Sequence, residues 1–326
     1  MNITITGGAG FIGWHLARKL VAEGHQVTTV DKLPLPVGIE GLHRHIPSDM
    51  DASNGPWAVF EDKPEVIVHL AAEAGVYTSP VDAITQNTLL VTDILDRMNP
   101  ATKIVFASSG AVYSLPQDRW NHNRPSAAPF RSAYGISKMA SEELIRLYYQ
   151  QKGIRYTITR FGNIFGFQWK PKAVVGLFLK AALEGDRPII HGDGTQKRDF
   201  TYVGDVVDAL AAAVSEGDHD TVDISRGLSL PVVELWYTMA EIAQAYGFEV
   251  PEPVFDKTSP AGTLISRLEP NKDGVISWHP RVDLAEGLRL IIKDILAHQE
   301  AGTEVDSVWL ENYSGADPIR PSRSGA

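Results

Sequence analysis

The chain has 326 residues and a formal net charge of −10, is 44% apolar and 21% charged, and contains no cysteine. Its length suits one large α/β domain or two lobes, and its composition is that of a globular protein. An acidic balance with no basic stripe argues against a nucleic-acid partner, and the missing thiols exclude disulfides, thiolate metal ligands and cysteine nucleophiles.

Asn2 to Thr6 is a short β-branched run, followed at once by Gly7-Gly8-Ala9-Gly10-Phe11-Ile12-Gly13. This start lacks the charged and apolar regions of a secretory signal, and no apolar run approaches the roughly 20 residues needed to span a bilayer. A cytoplasmic location away from any membrane is expected. Leu16, Ala17, Leu20 and Val21 recur at helical spacing until Glu23-Gly24, and Gln26 to Val30 forms a second strand closed by Asp31. Strand, glycine turn, helix, strand and acid together predict a dinucleotide-binding turn. Gly7 permits the tight turn, Gly10 lets backbone amides approach a pyrophosphate, and Gly13 lets helix pack on strand. The alternative is a glycine-rich turn that only joins strand to helix. Asp31 is placed to accept from an adenosine ribose, favouring NAD over NADP, while Lys32 softens that preference.

His43 to Asp49 holds a third strand with His43 and His45 on one face, but no further ligand lies nearby and a metal site is not expected. Glu65 to Leu70 is a buried parallel strand, Val81 to Met98 a long helix, and Lys103 to Ala107 a strand ending in Ser108-Ser109. In a doubly wound sheet, ligands sit outside the carboxyl ends of the strands, so Ser109 reaches the same edge as the glycine turn. A loop from Ser114 to Ser132 leads to Ala133-Tyr134-Gly135-Ile136-Ser137-Lys138. On a helix Tyr134 and Lys138 lie one turn apart, about 6 Å along the axis. An ammonium there depresses the phenol pKa, normally near 10, and makes a base for a sugar hydroxyl. Tyr148 and Lys152 repeat the spacing roughly 21 Å further along, so spacing alone does not choose between the pairs. Beyond Arg160, Ala173 to Glu184, Gly204 to Ser215, Pro231 to Tyr246 and Leu284 to Leu296 are predicted helices. Pro188 to His191 is extended, and Thr221 to Ile224 is a strand returning to the main sheet.

Thr6 to Gly13, His69-Leu70-Ala71-Ala72, Ser108 to Tyr113, Tyr134 to Lys138, Arg160 to Gly166 and Gly192 to Phe200 follow one another as six ordered motifs. Together they resemble the extended short-chain dehydrogenase/reductase family, in its nucleotide-sugar epimerase and dehydratase branch, over Met1 to about Leu296. The resemblance implies an α/β fold: a Rossmann-type doubly wound parallel sheet with a smaller C-terminal α/β substrate lobe. Residues 1–165 with about 200–226 would bind NAD, 166–199 with 227–300 would bind the nucleotide sugar, and 301–326 would be a mobile tail.

The resemblance also implies residue roles. Tyr134 would be the base, Ser109 would hydrogen-bond the reacting sugar oxygen, and Lys138 would hold the nicotinamide ribose. NAD would further meet Gly7, Gly10, Phe11, Ile12, Gly13, Asp31, Lys32, Asp49, Met50, Leu70, Ala71, Ala72, Asn87, Ser108, Phe161 and Tyr134 itself. Asn163, Val174, His191 and Arg198 would face the nucleoside-diphosphate sugar, with UDP-sugars foremost, and Arg198 offers a planar fork for phosphate. An ion pair between Arg198 and Asp199 is the local alternative. Two helices per subunit, Val81 to Met98 and Tyr134 to Lys152, would pair into a homodimer, with Leu90, Ile94, Leu144 and Leu147 outward or in the core.

The implied reaction is 4-epimerisation through a transient 4-keto sugar. A 4,6-dehydratase resembles this pattern but carries Asp-Glu after the Ser or Thr, where this chain has Gly110-Ala111 with no proton to give. A 4-ketoreductase on the same three residues, and a non-catalytic NAD(H)-binding protein, remain alternatives. Departures fall on the substrate side. Pro260-Ala261-Gly262 stands where relatives place a second diphosphate arginine, with Lys257 and Arg267 as substitutes. Tyr77 stands near an arginine of the glucuronate subgroup, and Ser114 replaces a glycine.

Overall fold

Strands that are apolar without alternation must be covered on both faces, and the first half of this chain supplies strands and covering helices in turn. The computed structural model describes residues 1–50, 57–73, 79–113, 132–167, 173–258, 265–270 and 274–300. In chain order the first elements are β1 (Asn2–Thr6), α1 (Phe11–Ala22), β2 (Gln26–Asp31), β3 (Arg44–Pro47) and β4 (Val66–His69). They continue with α2 (Pro80–Arg97), β5 (Lys103–Ser109), α3 (Ala133–Lys152), β6 (Arg155–Phe161) and β7 (Asn163–Phe165). Then come α4 (Val174–Glu184), β8 (Ile189–His191), β9 (Lys197–Tyr202), α5 (Val203–Ser215) and β10 (Asp220–Ile224). The last are β11 (Ser229–Pro231), α6 (Val232–Ala245), β12 (Val254–Asp256), β13 (Ile265–Ser266) and α7 (Leu284–Glu300). Pro231, expected inside the first turn of its helix, is instead the residue before it.

Seven strands form one parallel sheet in the order β10-β6-β5-β4-β1-β2-β3. The order reverses between β1 and β4, and that switch point opens a crevice at the carboxyl ends of the strands. Leu16 and Leu20 of α1 with Val206 and Leu210 of α5 cover one face. Val91, Ile94 and Leu95 of α2 with Ile145 of α3 cover the other. Ile94 is fully buried there, so of the four apolar positions named for pairing it is not outward. Leu90 and Leu144 are half-buried against the same core, while Leu147 is 43% exposed.

A second core lies beyond β6, where Phe178 and Leu179 of α4, Trp236 and Met239 of α6, and Leu288 and Ile292 of α7 meet Phe165 and Phe200. β9 carries Phe200 into it and pairs with β7, β11 and β13. The expected tail and the loop 114–131 lie outside the described residues, as do Tyr77 and Pro260-Ala261-Gly262. Among the described residues no helix is long and apolar enough to cross a membrane.

Candidate active site

The glycine turn owes its shape to contacts that admit no Cβ. Gly7 has φ +71°, and a Cβ on it would sit 2.8 Å from the Ala71 amide nitrogen. On Gly13 it would sit 2.2 Å from the Gly7 carbonyl oxygen, so α1 can rest on β1 only through glycine. Gly10 precedes α1 with no side chain capping the helix and no acid in its first turn. The helix therefore presents the amides of Phe11 and Ile12, and the positive end of its dipole, to an anion.

Beside that turn lies a cleft of about 250 Å³ whose wall includes Gly7, Gly10, Asp31, Lys32, Asp49, Met50, Leu70, Ala71, Ala72 and Asn87. Asp31 Oδ2 accepts from the Ala9 amide at 3.0 Å and Oδ1 from the Leu33 amide at 3.0 Å, which fixes the carboxylate at the rim. Each oxygen keeps a further lone pair for a ribose hydroxyl. Asn87 is buried, accepting from the Glu73 amide at 2.8 Å and donating to Ser137 Oγ at 3.0 Å. It thereby ties the loop after β4 to the helix that carries Tyr134. A turn with no room for side chains, an uncapped helix end and a carboxylate at the far rim fit a dinucleotide.

Four wall residues were not among those expected: Ser48, Glu73, Gln86 and Leu90. Gln86 and Leu90 are four apart on α2 and Leu90 is three beyond Asn87, so helical spacing from Asn87 was the available signal. His45 bonds Thr29 Oγ1 at 2.9 Å and the Leu33 carbonyl at 3.1 Å.

α3 begins where Ser132 Oγ accepts from the Gly135 amide at 3.1 Å, and it ends at Gly153 with φ +70°. A Cβ on Gly135 would lie 2.5 Å from the Ala111 carbonyl oxygen, so glycine next to Tyr134 lets the helix press against the turn after β5. Ser109 accepts from the Ala111 amide at 3.1 Å and also acts on the Tyr134 hydroxyl through a hydrogen bond. Lys138 Nζ donates to the Ala107 carbonyl at 2.7 Å and lies 5.7 Å from the Tyr134 ring centroid. Ser109, Tyr134 and Lys138 therefore converge at one strand end. The other pair does not: Tyr148 and Lys152 both bond Asp96 at the surface, at 2.7 and 3.1 Å.

One expectation is corrected. Lys138 does not depress the Tyr134 pKa. Burial pushes that phenol up, with the Ser109 hydrogen bond pulling the other way. Burial also draws Lys138 down to about 7, so its own charge is reduced near neutral pH. Spacing along a helix reports proximity, not how deeply both groups are withdrawn from water.

Ser108, expected at the cofactor, turns away. Its hydroxyl donates to Glu142 Oε1 at 2.5 Å beneath α3, because neighbours on β5 face opposite sides. Phe161 is buried in the core shared by α1 and α5. On the substrate side, Asn163 donates to the Asp199 carbonyl at 3.0 Å. Asp199 faces inward, accepting from the Gly227 amide at 2.9 Å, and does not pair with Arg198. Burial lifts the Asp199 carboxyl to about 6. Arg198 donates to the Lys197 carbonyl at 2.8 Å, and Val174 is the first residue of α4. His191 Nδ1 lies 3.6 Å from Asp256 Oδ2, and Arg267 bonds Glu269 at 2.6 Å.

A family model described as the NAD dependent epimerase/dehydratase family matches residues 3–225. A protein of Methanocaldococcus jannaschii, provisionally named a UDP-glucose 4-epimerase, is 36% identical over 89% of this chain and 97% of its own. A UDP-N-acetyl-alpha-D-glucosaminuronate decarboxylase of Bacillus cytotoxicus is 31% identical over 89% and 96%. The crystal structure of UDP-glucose 4-epimerase with UDP-glucose from Thermotoga maritima superposes with a TM-score of 0.81 at 30% identity, over 92% of this chain and all of that one.

Proposed function

Because the chain belongs to the NAD-dependent epimerase/dehydratase family, we propose that it is a UDP-sugar 4-epimerase, an isomerase, with Tyr134 as base. The observation that carries this reading is the convergence of Ser109, Tyr134 and Lys138 at the end of β5, where the chain turns through Gly110-Ala111. Those two residues have no proton to give, which disfavours loss of water after oxidation.

Gly7, Gly10 and the amides opening α1 hold the dinucleotide pyrophosphate, and Asp31 holds the adenosine ribose. Bound NAD supplies a hydride acceptor, and then a donor, for sugar C4. Tyr134 Oη, as the phenolate, takes the 4-hydroxyl proton as C4 is oxidised and returns it when the ketone is reduced on its opposite face. Ser109 Oγ hydrogen-bonds the same sugar oxygen and keeps it near Tyr134. Arg198 and Asn163 hold the diphosphate, so the sugar is anchored at one end and free to turn over. No net oxidation occurs, and NAD stays with the protein.

The 31%-identical decarboxylase favours a second reading. In a sugar acid the 4-ketone lies β to the C5 carboxylate, and such an acid loses CO2 with no residue beyond those that make the ketone. UDP-glucose, UDP-N-acetylglucosamine and UDP-glucuronate, with dTDP- and GDP-glucose beside them, separate the readings by NMR and mass spectrometry. The 4-epimer of unchanged mass is expected. A product lighter by one CO2 identifies a decarboxylase, and stoichiometric NADH consumption on an added 4-keto nucleotide sugar a ketoreductase.

We also propose a homodimer, pairing α2 and α3 with their copies. Val81, Leu89, Ile136 and Leu147 are exposed on those helices, by 70%, 42%, 38% and 43%. Light scattering should give twice the chain mass, and Leu147→Asp should lower it; a monomer at micromolar concentration overturns this.

A further inference from the structure

Glu142 lies on α3 one turn beyond Lys138 and is fully buried. A buried carboxylate is costly unless every lone pair is used and a counter-charge is at hand. Here Oε1 accepts from Ser108 Oγ at 2.5 Å and Arg160 Nε at 2.9 Å, and Oε2 from Arg160 Nη2 at 2.6 Å and Arg146 Nη2 at 3.1 Å. Arg160 Nη1 bonds the Tyr113 hydroxyl at 2.6 Å, and that hydroxyl donates to Asp223 at 2.7 Å. Burial alone would raise the Glu142 carboxyl, but its Arg160 and Ser108 bonds leave it below the usual carboxylate range. Those bonds favour the anion.

Two features link this anion to the chemistry. Ser108 precedes Ser109 on β5, and Arg160 is the register partner of Ser108 on β6, so Glu142 grips the strand end that presents Ser109. Lys138 is 2% exposed, and the groups around it are few. From β4 comes His69, which burial and the lysine itself lower to about 3, so it stays neutral. From β5 come the Phe106 ring and the Ala107 carbonyl, and on α3 itself Tyr134, whose phenol is raised by burial and lowered by its Ser109 hydrogen bond. Arg160 of β6 and Asp223 of β10 join the cluster through Glu142 and Tyr113. Among the described residues Glu142 is the one anion that opposes the desolvation of Lys138.

We propose that Glu142 is a positioning residue for Ser109, Tyr134 and Lys138, clamping the end of β5 to α3 through Ser108 and Arg160 and supplying the charge that keeps the Lys138 ammonium protonated. The charge clause concerns Lys138 whatever the substrate; the catalytic clause rests on the epimerase reading above. Glu142→Gln keeps the shape and removes the charge, whereas Ser108→Ala cuts the clamp and keeps the charge.

The test is 13C NMR titration of the purified protein carrying lysine labelled at Cε, with Lys138→Arg to identify the resonance. The Lys138 titration should fall by about one pH unit or more in Glu142→Gln and stay in place in Ser108→Ala. The alkaline limb of the kcat profile should follow the lysine downward in the first variant. The second should lower kcat several-fold with KM little changed. Should Glu142→Gln fail to fold with Arg160 uncompensated, Glu142→Gln with Arg160→Met removes both charges and should show the same fall in Lys138. An unmoved Lys138 titration in either charge-removing variant overturns the proposal. A protein that processes no UDP-sugar overturns the epimerase reading instead, and the lysine titration still decides this one.

Discussion

Tyr134→Phe is expected to lower kcat by roughly 10²–10⁴-fold, the usual contribution of a positioned acid or base, while NAD stays bound. The substitution removes one oxygen and leaves the ring. The Ser132 cap, the close approach of Gly135 to Ala111 and the Lys138 bond to the Ala107 carbonyl do not involve that oxygen. α3 should keep its place, and the glycine turn and Asp31 are untouched. Steady-state rates with mass spectrometry of NAD released on denaturation check both halves. Near wild-type turnover would remove Tyr134 as the base; loss of NAD would mean that its hydroxyl is part of the cofactor site.

Arg160→Met should have the largest effect on stability. Arg160 is 2% exposed and holds Glu142 with two hydrogen bonds and Tyr113, hence Asp223, with a third. Removing one partner of a buried ion pair costs about 3–5 kcal/mol, and here the cation left to Glu142 is Arg146, through a longer bond at 3.1 Å. For a chain of this size that is roughly a 10 °C fall in Tm. The sign with pH follows from the depressed Glu142 carboxyl. In the native protein its contribution is present above the unfolded carboxylate pKa and is lost as pH falls through the lower folded value. In Arg160→Met that carboxyl loses its main stabiliser and titrates higher, so the gap to wild type should narrow as pH falls. Thermal melts from neutral to mildly acidic pH check this. A Tm within 2 °C of wild type at neutral pH, about the effect of a sub-kcal change, would show that the buried network contributes little.

How much of this was legible in the sequence depended on whether the requirement was local. Gly13 is dictated by the Gly7 carbonyl six residues away, and the positive φ of Gly7 by the turn itself, and such local demands leave glycine behind. The strands of the parallel sheet were legible as unbroken apolar runs, and their edge placed Ser109 correctly because the order of strands and helices dictates it. Choosing between the two Tyr–Lys pairs was harder. Tyr148 and Lys152 are claimed by Asp96 on another helix, a contact no spacing along α3 reveals.

Where helix and strand spacing left a choice, burial made it. The direction of the Tyr134 pKa, the Glu142 partner of the Ser108 hydroxyl and the place of Ile94 in the core rather than outward were decided by burial and the facing element. Glu142 and Arg160 were missed as a pair because they are 18 residues apart and meet only when β6 lies beside β5 beneath α3. Nothing in their local sequence distinguishes them from a solvated acid and base.

The proposed reaction exchanges a proton and a hydride at sugar C4 within one cleft, and UDP-glucose carrying deuterium at C4, with the product followed by NMR, probes it. Inversion at C4 is expected with the deuterium kept in the sugar and no free NADH released. Inversion with the deuterium lost to water would contradict it, as would a C4-inverted product formed equally well by Tyr134→Phe.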